Sequence, residues 1–215
     1  MAVIFVDGVD GAGKTTLINQ LAAHIWHPSV RIAPPLWSYL PMITDPSMFA
    51  GWVTSTDPLQ VATALLTAQT ERIDEIHAQV TGVRPAPMVL VDRGATTVIA
   101  SARAHLLTTA EAGNAHAEPS WLEQVGPAVA RLRAAARRLS TATDCVALEL
   151  SVTDYRHILS RLSSEDRDNR DYVRYLHTFL AEFQTIERPP DTRRLTLDAT
   201  APPEDSLRTA LTWTE

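Results

Sequence analysis

The residues Gly8-Val9-Asp10-Gly11-Ala12-Gly13-Lys14-Thr15 follow the spacing G-x-x-x-x-G-K-[ST]. Glycines so spaced let the backbone curl tightly enough for its N–H groups to converge on phosphate oxygens. The lysine after the last glycine sets an ammonium against the β- and γ-phosphates of a nucleoside triphosphate, and the next hydroxyl can ligate Mg²⁺. Lys14 and Thr15 fill those two positions, and Thr16 supports the helix start. The bland alternative is a glycine-rich turn with an exposed lysine. Composition weighs against it, because Lys14 is the only lysine in the chain and every other Lys/Arg position is arginine. A compact ammonium on a flexible stem fits beneath such a loop, where a planar guanidinium does not. Phosphoryl transfer asks for in-line positioning and neutralised equatorial oxygens, with no covalent nucleophile. The loop has no arginine of its own, so the remaining charge must come from elsewhere. The charged stretch Ser163–Arg170, with Arg161 just before it and Arg167 and Arg170 inside it, is the natural source. Closing such a stretch over the site would also exclude water.

Apolar periodicity shows which elements must hold these residues. Ala2–Val6 is too short and too apolar for a helix and reads as a buried strand running into the loop. Lys14–Ile25 has helical spacing, and His27-Pro28 ends it. Val30–Ala33 is a second short strand; Pro34–Ser55 is irregular, with a short helix near Ile43–Val53. Asp57-Pro58 opens a long helix with a capping carboxylate, its apolar face carried by Val61, Leu65, Ala68, Ile76 and Val80, and Gly82 closes it. Met88–Val91 is a buried strand ending in Asp92-Arg93. Thr96–Leu107 is helical, Thr108–Pro119 a loop or weak helix, and Ser120–Leu139 a helix with a kink signal at Gly126-Pro127. Asp144–Leu150 is a buried strand, Thr153 starts a helix through Ile158 and Leu162, and Ser163–Arg170 is a charged loop. Asp171–Ile186 is an amphipathic helix, Arg194–Asp198 the last strand and Pro203–Trp213 the last helix. Apolar strands alternating with helices predict an α/β fold: three layers, with a central parallel sheet of about five strands covered on both faces. Residues 1–215 read as a single domain, with a helical lid at about 161–172.

Composition bounds the partners. The chain has 215 residues, 45% hydrophobic and 20% charged, enough for one core. A net charge of −6 argues against a nucleic-acid polymer as partner, which would need a basic face. No apolar run reaches the ~18 residues of a membrane span, so no membrane partner is expected. The first residues lack the basic segment of a signal peptide, and a cytoplasmic location is the expectation. Cys145, the one cysteine, sits in an apolar stretch and reads as core in a reducing compartment. The seven histidines show no metal-ligand spacing and are assigned no site.

The stretch Val3–Leu17, with Asp10 inside the loop, resembles thymidylate kinase and its relatives among the nucleoside monophosphate kinases of the P-loop NTPase family. The likeness continues at Leu65–His77 with Glu71-Arg72, Val89–Arg93, Asp144–Leu162, Ser163–Phe183 and Leu195–Thr200. The resemblance implies ATP as phosphoryl donor and Mg²⁺ as metal, held through Thr15 and Asp92. It implies that Gly8, Val9, Asp10, Gly11, Ala12, Gly13, Lys14, Thr15 and Thr16 cradle the donor, with Asp10 on a metal-bound water or the acceptor phosphate. Arg72 and Arg93 would meet the acceptor, and Arg161, Arg167 and Arg170 would close over the transferring group. A small-molecule nucleotide would be the acceptor and a homodimer the assembly. Trp37 and Tyr39 are candidates to stack on an acceptor base.

The chain departs from that family after Asp92-Arg93, where Gly94–Ser101 lacks the aromatic and amide side chains that read thymine. Ala33–Tyr39 likewise offers prolines and aromatics where the family has a phosphate-contacting arginine. Transfer to a nucleoside monophosphate is the leading expectation. Transfer to a hydroxyl of a nucleoside or other small molecule is the alternative, with Asp92 or Asp10 taking the proton. A non-catalytic nucleotide-binding role is the third. A GTPase would need an N-K-x-D motif, which a chain with Lys14 as sole lysine lacks.

Overall fold

The computed structural model describes residues 2–25, 29–45, 48–82, 86–113, 118–188 and 192–214. Five strands form one sheet: β1 (Ala2–Asp7), β2 (Val30–Ile32), β3 (Met88–Asp92), β4 (Asp144–Ser151) and β5 (Arg193–Asp198). Their spatial order is β2-β3-β1-β4-β5, and every pairing is parallel. The predicted α/β class and strand count hold. Val3, Ile4, Val6, Val89, Leu90, Val91 and Leu148 are sealed from solvent, which is why these strands read as unbroken apolar runs: a parallel sheet is covered on both faces.

The helices are α1 (Lys14–His24), α2 (Met48–Ser55), α3 (Pro58–Gly82), α4 (Ala95–Gly113), α5 (Glu118–Ala142), α6 (Tyr155–Arg161), α7 (Ser164–Asp168), α8 (Arg170–Thr185) and α9 (Pro203–Thr214). From β1 the chain crosses to the β2 edge, and from β3 it crosses back past β1 to β4. Parallel crossovers are right-handed, so reversing direction moves the covering helices to the other face. α1 and α9 pack together, while α3, α4, α5 and α8 form a second packed group. β1 therefore lies where the topology switches, and ligands of open α/β sheets gather outside the carboxyl ends of the strands at that place.

Most element boundaries agree within two or three residues. Asp57 caps α3 as expected, its Oδ1 accepting from the Gln60 N–H at 3.1 Å. Four stretches differ, one being the helix expected near Ile43–Val53, which the described residues show only from Met48 to Ser55. Thr108–Gly113 continues α4, because Ala110, Glu111 and Ala112 are good helix formers. Ser163–Arg170 is no loop: α7 forms inside it, with the Ser163 hydroxyl and Asp166 capping each other at 2.8 and 3.0 Å. Leu36–Tyr39 makes a 3₁₀ turn within the segment read as irregular. Pro127 lies inside α5. The stop at His27-Pro28 and residues 114–117 of the Thr108–Pro119 stretch lie outside the described residues.

A second apolar cluster packs the 3₁₀ turn against α3 and α4. Leu36, Leu40, Ile43, Val61, Leu65, Ala68 and Val98 close together, with Trp37, Tyr39, Phe49 and Trp52 packed on them. On the opposite flank α8 buries Tyr175, Leu176, Phe179 and Phe183. Two polar contacts join α8 to α4: Arg103 to Glu182 at 2.7 Å, and the Ser101 and Tyr175 hydroxyls at 2.8 Å. Cys145 is buried in β4, and burial pushes its thiol up to about 12, as suits an inert core residue.

Candidate active site

The phosphate loop joins β1 to α1. Gly13 caps α1 at φ 94° in the left-handed region, which costs a glycine nothing and turns the first free N–H groups of α1 toward the loop. Lys14 is 6% exposed and folds back under the loop, donating to the Val9 carbonyl at 2.8 Å and lying 3.7 Å from Asp10 Oδ1. Burial, reinforced by Arg93, lowers its pKa, while Asp10 and Asp92 work the other way. The Thr15 hydroxyl donates to Asp92 Oδ2 at 3.1 Å. Asp92 Oδ1 is sealed from solvent with no hydrogen-bond partner. A hydroxyl and a carboxylate with an uncommitted oxygen are hard donors of the kind Mg²⁺ takes alongside substrate phosphates, so these two residues fit the expected metal.

β1 and β3 are direct neighbours, with Val6 opposite Asp92. Asp7 ties the loops that follow them. Its Oδ1 accepts from the Gly94 N–H at 2.8 Å and from the Thr97 hydroxyl, which in turn accepts from the Gly8 N–H at 3.2 Å. A side chain at Gly94 would put its Cβ 2.9 Å from Asp7 Oδ2, so only glycine allows the approach. Arg93 between them takes φ 70°, an uncommon backbone state for a residue with a side chain, held by its N–H on the Val6 carbonyl at 3.0 Å. Burial raises the pKa of Asp7, the Thr97 and Gly94 hydrogen bonds oppose that, and neighbouring Glu149 adds to it.

Four charges meet at the loop. Arg93 reaches Asp10 at 2.7 Å. Burial alone would raise the pKa of Asp10, but Arg93 and then Lys14 outweigh it, and the carboxyl is held below its ordinary value. For Arg93 burial disfavours the cation, while Asp10 and Asp92 more than compensate, so its pKa is raised. Asp10, Gly11, Gly13, Lys14, Thr15, Thr16, Asp92, Arg93 and Arg161 line one cavity of about 450 Å³. Most of the loop and metal residues expected from sequence therefore meet in one place, while Gly8, Val9 and Ala12 form its frame. A second cavity of about 150 Å³ lies beyond it, between Ala12, Leu17, Arg161, Ala199 and Pro203. Ala199 in its wall belongs to Leu195–Thr200, one of the stretches that carry the family likeness.

The acceptor side differs from expectation. Arg72 is fully buried and does not face the cavity. Its Nη1 donates to the Asp92 carbonyl at 2.7 Å, and Gln69 Nε2 donates to the Arg93 carbonyl at 3.0 Å, so α3 fixes the backbone of the Asp92-Arg93 turn. Burial lowers the Arg72 pKa to about 10, against the pull of Asp92. Trp37 and Tyr39 cover the second apolar cluster instead of an acceptor. The Tyr39 hydroxyl is committed to Glu75 at 2.5 Å. Of the lid arginines, Arg161 reaches the loop, 3.4 Å from the Gly11 carbonyl. Arg167 and Arg170 are exposed and line neither cavity.

Residues without a sequence signal take their place. His105, Tyr172, Tyr175, Phe49 and Val53 line the phosphate cavity. His105, 8% exposed, stacks on Tyr175 with centroids 4.0 Å apart. Nothing in the local sequence marks His105, since α4 must first be laid against α8. The pair Tyr172 and Tyr175, one helical turn apart, was the only available hint. Among the described residues no group of three or more His, Cys, Asp and Glu side chains forms a metal centre.

No model of a known protein family matches the chain, and no curated protein does. Solved structures do. An unliganded sugar kinase from Janibacter sp. matches over 100% of this chain and 94% of its own, with a TM-score of 0.53 and 15% identity. A deoxyadenosine kinase from M. mycoides, solved with bound dATP, matches over 100% and 99%, with a TM-score of 0.62 and 13% identity. At such identities the likeness establishes the fold, and this is the three-layer parallel fold of P-loop kinases.

Two outcomes follow from this geometry. Asp7→Ala removes the oxygen that accepts from both the Gly94 N–H and the Thr97 hydroxyl, and should cost about 1–3 kcal/mol for each donor left unpaired, read in denaturant unfolding. Burial pushes His105 down to about 4, Asp10 partly opposing and Arg93 assisting. The unfolded imidazole, near 6.5, then binds more protons than the native one between about pH 6.5 and 4. Stability from His105 is thus fully present above that window and lost through it on acidification, by up to ~3 kcal/mol. Urea unfolding of His105→Gln across that range should show a flatter pH dependence than wild type.

Proposed function

We propose that the chain is a kinase transferring the γ-phosphoryl group of ATP to a hydroxyl of a small molecule. The observation that carries the hydroxyl reading is the state of the acceptor arginines. Arg72 is sealed behind the Asp92-Arg93 backbone, and the Arg93 guanidinium is engaged by Asp10 at 2.7 Å. A nucleoside monophosphate would need such cations for its own phosphate, whereas a hydroxyl needs a base for its proton. Asp10 is a poor base, since two cations hold its carboxyl in the ionised form. Asp92, with its uncommitted Oδ1, is the better candidate. The two fold neighbours point the same way, being named for a sugar and a deoxynucleoside, acceptors that offer hydroxyls.

In this reading the loop N–H groups and Lys14 hold the donor phosphates, and Arg161 closes on them from α6. Thr15 and the Asp92 Oδ2 it bonds would hold Mg²⁺, whose charge neutralises the β- and γ-phosphate oxygens when bound, and Oδ1 is left for the proton. Arg93 supports the developing charge at the transferring group, and Asp92 accepts the hydroxyl proton. Transfer to a monophosphate remains the second reading. What favours it is Arg174, which borders the neighbouring cavity without an ion-pair partner among the described residues.

Lys14→Ala should lower turnover by about 10²–10³-fold, the usual effect of removing one preorganised transition-state contact, with its melting temperature near wild type. Lys14→Arg should not restore it. Coupled ADP release is the measurement, and normal turnover by Lys14→Ala would refute the loop assignment.

A further inference from the structure

We infer that the acceptor is a polyhydroxylated, non-aromatic molecule of the sugar class, bound in a cavity beside the phosphate loop; this rests on the hydroxyl-kinase reading above. The cavity measures about 550 Å³ and is walled by Val53, His105, Tyr172 and Tyr175. Those four residues also line the phosphate cavity, so the two spaces adjoin. A molecule seated there and reaching past the shared walls would meet the phosphate cavity, which Asp92 and the loop line. The volume lies within the ~300–1,000 Å³ usual for small-ligand sites.

The far end of this cavity is built for hydroxyls. At the α2–α3 junction it is lined by Thr54, Ser55, Thr56 and Asp57 in succession, and at the start of α8 by Asn169 and Asp171. These side chains offer hydroxyl, amide and carboxylate oxygens that accept from several O–H donors at once. Among the described residues, the Asp171 carboxylate and the Thr56 hydroxyl make no hydrogen bond or ion pair. The backbone N–H groups of Asp171 and Tyr172 are held by Asn169 Oδ1 at 3.2 and 3.1 Å, which fixes this rim.

The same walls disfavour a nucleobase. Such a base wants a flat slot between apolar or aromatic faces. The rings here stack on one another along a single wall: His105 on Tyr175 at 4.0 Å and 13°, Tyr172 on Tyr175 at 5.9 Å and 27°. Phe49 lines the phosphate side alone. A single aromatic wall facing hydroxyls and carboxylates suits the C–H face and O–H rim of a sugar ring. A phosphorylated acceptor is disfavoured too, because Asp57 and Asp171 outnumber Arg174, the one arginine in this lining.

The test is coupled ADP release by the full chain with Mg·ATP, over panels of pentoses, hexoses, amino sugars and disaccharides, of nucleosides, and of nucleoside monophosphates. Turnover on a member of the sugar panels is expected. Asp171→Asn and Thr56→Val should then each raise the KM for that sugar at least tenfold, with the KM for ATP and the melting temperature unmoved. Turnover on nucleosides and on no sugar would overturn this inference and leave the hydroxyl-kinase reading standing. Turnover on monophosphates alone would overturn both. Sugar turnover with an unchanged KM in both variants would overturn the assignment of this cavity.

Discussion

Everything at the candidate site depends on one buried carboxylate. Asp7 ends β1, and through Gly94 and Thr97 it fixes the turn after β3 against the loop after β1. The strand ladder alone sets Val6 beside Asp92, but a ladder fixes only backbone spacing. Side-chain reach depends on the two turns, and Asp7 is where they are joined. Two groups donate to one oxygen of Asp7 inside a sealed space, where an unpaired donor would cost about 1–3 kcal/mol. From α3, Arg72 and Gln69 hold the same turn by its carbonyls. The strained backbone of Arg93 survives because it is restrained on both sides.

Around this frame the charges are arranged to be rearranged. Lys14 and Arg93 face Asp10 and Asp92 in a site with little solvent. Each cation has a carboxylate partner, so neither is buried alone, an arrangement far cheaper than an isolated buried charge. A triphosphate entering the cavity brings oxygens that compete for the same cations. The Asp10–Arg93 contact would then be exchanged for phosphate contacts under the proposed function, and a low-dielectric site strengthens whichever contact replaces it. The electrostatics thus suit polyphosphate binding without any arginine in the loop itself.

The acceptor side shows how packing reassigns residues that look functional. The aromatics of the 3₁₀ turn pack on an apolar cluster over α3 and α4 and do not line the phosphate cavity. The space adjoining the phosphate cavity lies toward α8, lined by aromatic rings and by polar side chains from two helix starts. α8 is held to α4 by an ion pair and a hydroxyl pair, so the wall belongs to the core and only its far rim is set by α7 and Asn169.

The sequence by itself determined the phosphate loop, the strand-helix alternation and the Asp92-Arg93 pair, because each is written in consecutive residues. Glycine spacing, a unique lysine and apolar runs act through local backbone geometry and survive any arrangement of the rest. The tertiary structure alone decided that Arg72 is a sealed support, that Trp37 and Tyr39 pack on an apolar cluster, that Arg161 reaches the loop while Arg167 and Arg170 do not, and that His105 stands in the wall. Those roles depend on which helix faces meet across the sheet. A side chain's neighbours four residues away follow from periodicity, whereas its neighbours seventy residues away follow only from how the layers pack.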